Sequence, residues 1–149
     1  MSNTSSGAEI SGDSFLRGAI RRELEAAVGV ENVIVDPAVL QQQAYDWSWM
    51  SKFLEYRNLP LPAADFAVKP GSTEEVVEVM RIASTYKIPV VPRGGGSGTQ
   101  GGTLALYGGI SLDLTRMNKI INIDKQSLVV EVEAGIDGPT LEVELNKHG

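Results

Sequence analysis

The reading turns on Pro92-Arg93-Gly94-Gly95-Gly96-Ser97-Gly98-Thr99-Gln100-Gly101-Gly102, which follows the apolar run Ile88-Pro89-Val90-Val91. Six of these eleven residues are glycine, and glycine loses more backbone entropy on folding than any other residue, about 0.5–1 kcal/mol relative to Ala in regular structure. Two physical reasons justify such a run: positions that need positive φ, and backbone N–H groups that a ligand approaches too closely for a Cβ. The second describes a phosphate cradle. Gly96-Ser97-Gly98-Thr99-Gln100-Gly101 spells G-x-G-x-x-G after a strand, but the dinucleotide fingerprint must open a helix whose N-terminus holds the pyrophosphate. The continuation Thr103-Leu104-Ala105-Leu106-Tyr107-Gly108-Gly109 fits no helix. A Walker A loop is excluded because no Gly-Lys-Ser/Thr follows. A mobile linker would carry polar flanks, whereas apolar strand candidates close in on both sides.

Working outward, the chain alternates between strand and helix from Asp65 onward. Phe66-Ala67-Val68-Lys69 reads as a strand that Pro70-Gly71 ends, and Ser72 or Thr73 with Glu75 and Val76 starts a helix. Val76, Val79, Met80 and Ala83 share its apolar face, with Lys87 near the C-terminal end. Pro89-Val90-Val91 completes a βαβ unit over 66–91 that feeds into the glycine run. Beyond it, Gly109–Leu114, Ile120–Asp124 and Ser127–Ala134 form a strand cluster over 110–134, and Thr140–Lys147 is an amphipathic helix. The predicted fold class is α+β with α/β-like alternation.

Upstream, residues 1–12 are mostly Ser, Asn, Thr and Gly with little to bury and read as a disordered tail. Residues 13–62 read as a helical segment. Asp13 or Ser14 caps a helix over Phe15–Val28, with Gly29 at its C-terminus; Val33-Ile34-Val35 is a short strand, and Asp36-Pro37 opens a second helix. Tyr45-Asp46-Trp47-Ser48-Trp49-Met50 holds both tryptophans, read as buried packing, and Leu59-Pro60-Leu61-Pro62 is an extended connector.

Charge and composition narrow the function. Thirteen Lys and Arg against nineteen Asp and Glu give a net charge of −6, with no basic patch to hold a phosphate backbone, so nucleic acid is excluded as a partner. The absence of cysteine removes disulfides, Fe–S clusters and thiolate chemistry. No apolar run reaches the roughly 18 residues of a membrane span, and neither signal-peptide region is present, so the expected localisation is cytoplasmic. His148, the single histidine, stands outside any triad or metal cluster and reads as a surface residue. Asp113, Asp124, Glu131, Glu133 and Asp137 read as solvent-facing strand and turn residues, so the chain carries cofactor binding and not acid/base chemistry. No catalytic residue and no metal ligand is assigned.

Ala67-Val68-Lys69-Pro70, Ser72-Thr73-Glu74-Glu75-Val76, Ile88–Gly98, Gly101-Gly102, Gly108-Gly109, Leu112–Asn118 and Val132-Glu133-Ala134-Gly135 occur in an order that resembles the first half of the FAD-binding domain of the FAD-linked oxidases. This is the vanillyl-alcohol oxidase or p-cresol methylhydroxylase superfamily. The resemblance covers residues 63–149 as a first subdomain. It is nearest to the branch of D-lactate dehydrogenase and the glycolate oxidase flavin subunit, with alkyl-dihydroxyacetone-phosphate synthase as a near relative.

The resemblance implies a fold, a cofactor and a reaction. The backbone of Pro92, Arg93, Gly94, Gly95, Gly96, Ser97, Gly98, Thr99, Gln100, Gly101 and Gly102 would wrap the FAD pyrophosphate, with side-chain hydrogen bonds from Ser97, Thr99 and Gln100. Ala134 and Gly135 would lie near the flavin. Some members attach FAD through a histidine in this loop; none stands near Ser97 and Gly98 here, so the FAD is expected to be non-covalent. The intact protein would be a flavin-dependent oxidoreductase acting on a small 2-hydroxy acid. The chain would correspond to an amino-terminal portion, inactive by itself, weak in FAD binding and prone to homo-oligomerise through an exposed sheet edge. Two other readings of the same residues stay open beside an alkyl-dihydroxyacetone-phosphate synthase-like or other FAD-linked oxidase: a non-catalytic module for another nucleotide, and a protein-interaction fragment.

Overall fold

The computed structural model describes residues 14–149. The expected tail at 1–12, and Asp13 as a helix cap, lie outside the described residues. Helix α1 (Ser14–Val28) buries Ile20, Leu24 and Val28, one stripe at helical spacing, and ends at Gly29, whose N–H donates to the Glu25 carbonyl and whose φ of 90° turns the chain out of the helix. Strand β1 (Val33–Ile34) follows. Helix α2 (Pro37–Gln43) starts with proline in its first turn and Asp36 as its cap, the Asp36 carboxylate accepting from the Ala38 N–H at 2.8 Å.

The structure corrects the reading of the tryptophan stretch. Trp49–Tyr56 form a helix, α3, capped by Ser48, and the tryptophans are on the surface: Trp47 is 61% exposed and Trp49 71%. The buried residues here are the polar ones, Asp46, Ser48 and Ser51. Trp47 instead packs edge-on to Tyr45, with the Lys52 ammonium 4.3 Å over its ring, and Trp49 tilts against Phe53. Because the helix turns its aromatics outward, it has no buried apolar stripe for periodicity to reveal.

The central sheet explains where the glycine run sits. Strand β2 (Phe66–Val68) leads into helix α4 (Thr73–Tyr86), then strand β3 (Val90–Arg93); strand β4 (Ile110–Asp113) lies beyond the glycine run. The strand order is β1-β2-β4-β3, so β4 is inserted between the two strands of the expected βαβ unit and pairs in parallel with both, Phe66↔Ile110↔Val90 in register. Every residue of β2 and β4 is buried, as strands covered on both faces must be. Phe66, Val68, Ile110 and Leu112 meet α1 and α4 through Ile20, Leu24, Val79, Ile82 and Ala83. On α4 the buried face runs through Ile82, while Met80, expected there, is 46% exposed. Lys87 ends the helix in the left-handed region at φ 54°.

Strands β5 (Ile120–Asp124) and β6 (Val129–Val132) make a separate antiparallel hairpin, so the strands over 110–134 divide between two sheets. The Asp124 carboxylate shapes its turn by accepting from the Gln126 and Ser127 N–H groups. Helix α5 (Gly138–Leu145), capped by Asp137, follows. The expected mixture of helix and strand, a strand–helix–strand unit followed by further strands and preceded by helices, is what the chain forms. Among the described residues no helix is long and apolar enough to cross a membrane.

Gly109 joins the three parallel strands at their starts. Its N–H donates to Asp65 Oδ2 at 2.7 Å, and its carbonyl accepts from the N–H groups of Asp65 and Phe66. Its φ is 82°, and a Cβ there would overlap the Pro89 carbonyl, which accepts the Ile110 N–H. Gly109→Ala is therefore expected to cost about 2 kcal/mol or more in urea unfolding, from left-handed strain and the displaced carbonyl together.

Candidate functional site

The three parallel strands end on the same edge of the sheet, at Val68, Arg93 and Asp113. Ligands of open α/β sheets gather beyond such carboxyl ends. Parallel neighbours cannot be joined by a tight turn, and the crossover between them is usually a helix. Between β3 and β4 the crossover is residues 94–109, which hold no helix. The glycine run is thus both the connection that the topology demands and the surface lining the strand ends.

The glycines of the run fall into two groups. Gly96 and Gly101 have φ of 69° and 78°, and Gly96 is buried under the Arg93 guanidinium, which a Cβ would overlap. These two are explained by the chain itself. Gly94, Gly95, Gly98 and Gly102 lie outside the positive-φ set. A Cβ on Gly95, Gly98 or Gly102 would meet nothing within 4 Å, and on Gly94 only the Ala134 carbonyl at 3.9 Å. The fold does not require those four to be glycine. Their common property is bare backbone facing open space, the requirement for a ligand that packs directly on peptide groups.

The other predicted site residues separate in the same way. Pro92 and Arg93 close β3, and Arg93 turns inward to donate from Nη1 to the Tyr45 carbonyl at 3.1 Å. Ser97, Thr99 and Gln100 are exposed, with one weak contact from Gln100 Nε2 to Thr99 Oγ1 at 3.5 Å. Ala134 borders the run through its carbonyl beside Gly94. Gly135 is buried, and a Cβ there would overlap the Leu114 carbonyl, while its N–H donates to the Met117 carbonyl at 2.8 Å. Its glycine identity is thus accounted for by packing against the chain.

Sequence reasoning missed the support beneath the run. The turn at 45–48 touches it twice: Tyr45 accepts from Arg93, and the Trp47 N–H donates to the Gly98 carbonyl at 2.9 Å. Asp46 forms that turn. Its side chain is fully buried, and Oδ1 accepts from the Ser48 N–H at 3.0 Å and the Ser51 hydroxyl at 2.6 Å. Burial pushes the Asp46 carboxyl up, but the Ser48 and Ser51 hydroxyls and the Ser48 N–H outweigh it and hold the group below the ordinary aspartate range, with the Thr103 hydroxyl nearby but outside hydrogen-bond reach. The signal available in the sequence was Asp-x-Ser-x-x-Ser, an Asx turn leading into a helix cap.

Asp113 also departs from expectation. It is buried, and its carboxylate accepts from the Thr115 N–H and hydroxyl and pairs with Lys69 at 3.5 Å. Placed at the end of the central strand, it meets the free N–H groups of the following turn and the neighbouring strand's lysine rather than water. Glu133 likewise turns back to the Lys119 N–H. Asp124 and Asp137 are the turn and cap residues described above, and Glu131 is exposed. His148 is exposed, its carbonyl accepting from Lys125.

Comparison with known proteins gives this geometry a context. A family model described as "FAD binding domain" matches residues 64–149. The FAD-linked oxidoreductase YgcU of Escherichia coli strain K12 is 37% identical over 140 residues, covering 91% of this chain and 28% of YgcU. D-lactate dehydrogenase of Anaerostipes hadrus is 39% identical over 82 residues, 55% of this chain and 17% of that enzyme. A crystal structure of alkyldihydroxyacetonephosphate synthase superposes with a TM-score of 0.76 at 28% identity, over 89% of this chain and 25% of the synthase. The chain spans between about a sixth and a little over a quarter of the length of these proteins.

The depressed Asp46 carboxyl predicts a pH dependence with a definite sign. A carboxylate held lower in the folded than in the unfolded state adds stability that is fully present above the unfolded value and is lost as pH falls through the folded one. The wild-type unfolding free energy is expected to fall in that acid window more steeply than that of Asp46→Asn, measured by urea titration from neutral pH downward.

Proposed function

The chain belongs to the FAD binding domain family, and on that premise we propose that residues 92–102 wrap the FAD pyrophosphate with their backbone. Ser97, Thr99 and Gln100 add side-chain hydrogen bonds, and Ala134 borders the cofactor where it leaves the loop. The observation that carries this reading is the set Gly94, Gly95, Gly98 and Gly102, bare backbone with no reason in the fold, at the carboxyl ends of three parallel strands. A pyrophosphate seated on peptide groups fits the residues present. Lys69 is held by Asp113 and Arg93 by Tyr45, so recognition falls to N–H groups rather than to a free cation, as in other anion-binding nests. Gly135 sits near this region as a packing residue, and its amide is committed to Met117.

When bound, FAD supplies the two-electron chemistry; the protein supplies its binding and orientation. We read the attachment as non-covalent, because Ser97 and Gly98 offer no histidine to the flavin ring. The full-length protein is proposed to be an oxidoreductase that acts on a small 2-hydroxy acid, a reading supported by the identity to a D-lactate dehydrogenase over the matched residues. A second reading, an alkyldihydroxyacetonephosphate synthase-like activity, is favoured by the superposition on that enzyme over most of the chain.

Gly98→Ala separates cofactor binding from folding. It is expected to change stability by less than about 0.5 kcal/mol, as a surface substitution without contacts does, while sharply weakening FAD binding followed by flavin fluorescence. Acid precipitation of the full-length holoprotein should leave the flavin in the supernatant; a yellow pellet would refute non-covalent attachment. Anaerobic addition of D-lactate or glycolate to that holoprotein is expected to bleach the flavin absorbance. Bleaching by neither, with formation of an alkyldihydroxyacetone phosphate, would select the synthase reading.

A further inference from the structure

We propose that Asp46 is a positioning residue for the glycine loop, and that its free oxygen takes the Thr103 hydroxyl when the dinucleotide seats. This rests on the reading of the loop as the FAD cradle. Asp46 and its turn reach the loop at three points: Tyr45 holds Arg93 near its start; Trp47 holds Gly98 in its middle; and Ser48 Oγ stands 3.9 Å from where a Cβ of Gly101 would lie. Thr103 follows at the far end.

The state of the polar atoms marks one contact as unfinished. Asp46 Oδ1 is fully used by Ser48 and Ser51, but Asp46 Oδ2 and Thr103 Oγ1 are buried with no hydrogen-bond partner. A buried carboxylate oxygen without a donor and a buried hydroxyl without an acceptor are each unfavourable, and each is what the other lacks. Asp46 belongs to the rigid turn, while Thr103 is carried by a loop whose Gly95, Gly98 and Gly102 have no side chains to resist movement. Backbone N–H groups that turn toward a bound phosphate draw the loop's end with them, and a small shift of Thr103 closes the pair. Gln43 Oε1, the other buried side-chain acceptor without a partner among the described residues, lines a small cavity with Thr103 and is the competing partner for the hydroxyl.

The test combines FAD titration with thermal melting and hydrogen exchange on the apoprotein. Thr103→Val removes a hydroxyl with no hydrogen-bond partner within reach in the apo state, so the apo melting temperature is expected to hold or rise while the FAD Kd increases about tenfold, the loss of one charge-assisted bond. Thr103→Ser restores the affinity. Asp46→Asn keeps an acceptor for Ser48 and Ser51 and offers an amide donor to Thr103, so most of the affinity is retained. In Asp46→Ala apoprotein, exchange at the Trp47 and Leu104 amides is expected to speed up about tenfold with β2 and β4 still protected, and adding Thr103→Val costs no further affinity. Unaltered FAD affinity in Thr103→Val, a melting temperature that falls in step with it, or equal losses with and without Asp46, as Gln43 partnership would give, overturns the proposal. If the wild-type protein binds no FAD, the cradle reading itself falls, and the seating bond with it; exchange at Trp47 and Leu104 still decides whether Asp46 orders the loop.

Discussion

The close approach of Gly109 to Pro89 is the constraint on which the rest of the architecture depends. Parallel strands need their starts aligned before their ladders can form, and here a single peptide does this for β2, β3 and β4 at once. The Gly109 carbonyl and N–H are taken by the Asp65-Phe66 start of β2, and its missing side chain leaves room for the Pro89 carbonyl, which binds the first N–H of β4. With the starts fixed, the register Phe66↔Ile110↔Val90 follows, and with the register the three carboxyl ends come level. The candidate site is the far end of this alignment.

Much of this was legible in the chain because the residues that carry it act locally. The Asp36-Pro37 helix start, the Ser72 cap and the Gly29 stop are signals within one turn of backbone, and each is found where the sequence puts it. The glycine run stood out in the sequence by composition alone, but which of its members the fold needs as glycine could not be read there: Gly96 and Gly101 are fixed by positive φ, and Gly94, Gly95, Gly98 and Gly102 are not. The insertion of β4 between β2 and β3 was not legible either, since strand order depends on which edges remain unpaired, and no periodicity records that. Helix α3 was invisible for the opposite reason: its aromatics face outward, while the residues it buries are serines, so hydropathy pointed the wrong way at Trp47 and Trp49. Asp113 shows the same limit, because a carboxylate in a strand reads as exposed until the lysine of the neighbouring strand is placed beside it.

The polar interior is concentrated where the glycine run is supported. Asp46, Ser48 and Ser51 are buried together beneath the glycine run, and Ser111 and Asp113 lie in the central strand beside it. A loop made of glycine cannot hold its own shape through side-chain packing. Its shape is imposed from below by hydrogen bonds, which set the direction of individual peptide groups as apolar contact cannot. The surface left free for a ligand is accordingly backbone.

The strand order carries a consequence for how the molecule is made. Strands β2 and β3 are joined by a single helix, yet they can enter the sheet only with a gap between them, and the strand that fills it lies a full glycine crossover further along the chain. Until β4 arrives, β2 and β3 each present an unpaired inner edge of the kind that captures other chains. Closing the gap means bringing together the ends of a long, floppy crossover before any ladder bond rewards it, which slows folding. The glycine-rich crossover therefore places its entropic cost on the pairing of β4 with both neighbours, and β2 and β3 keep open inner edges until residues 94–109 are in place.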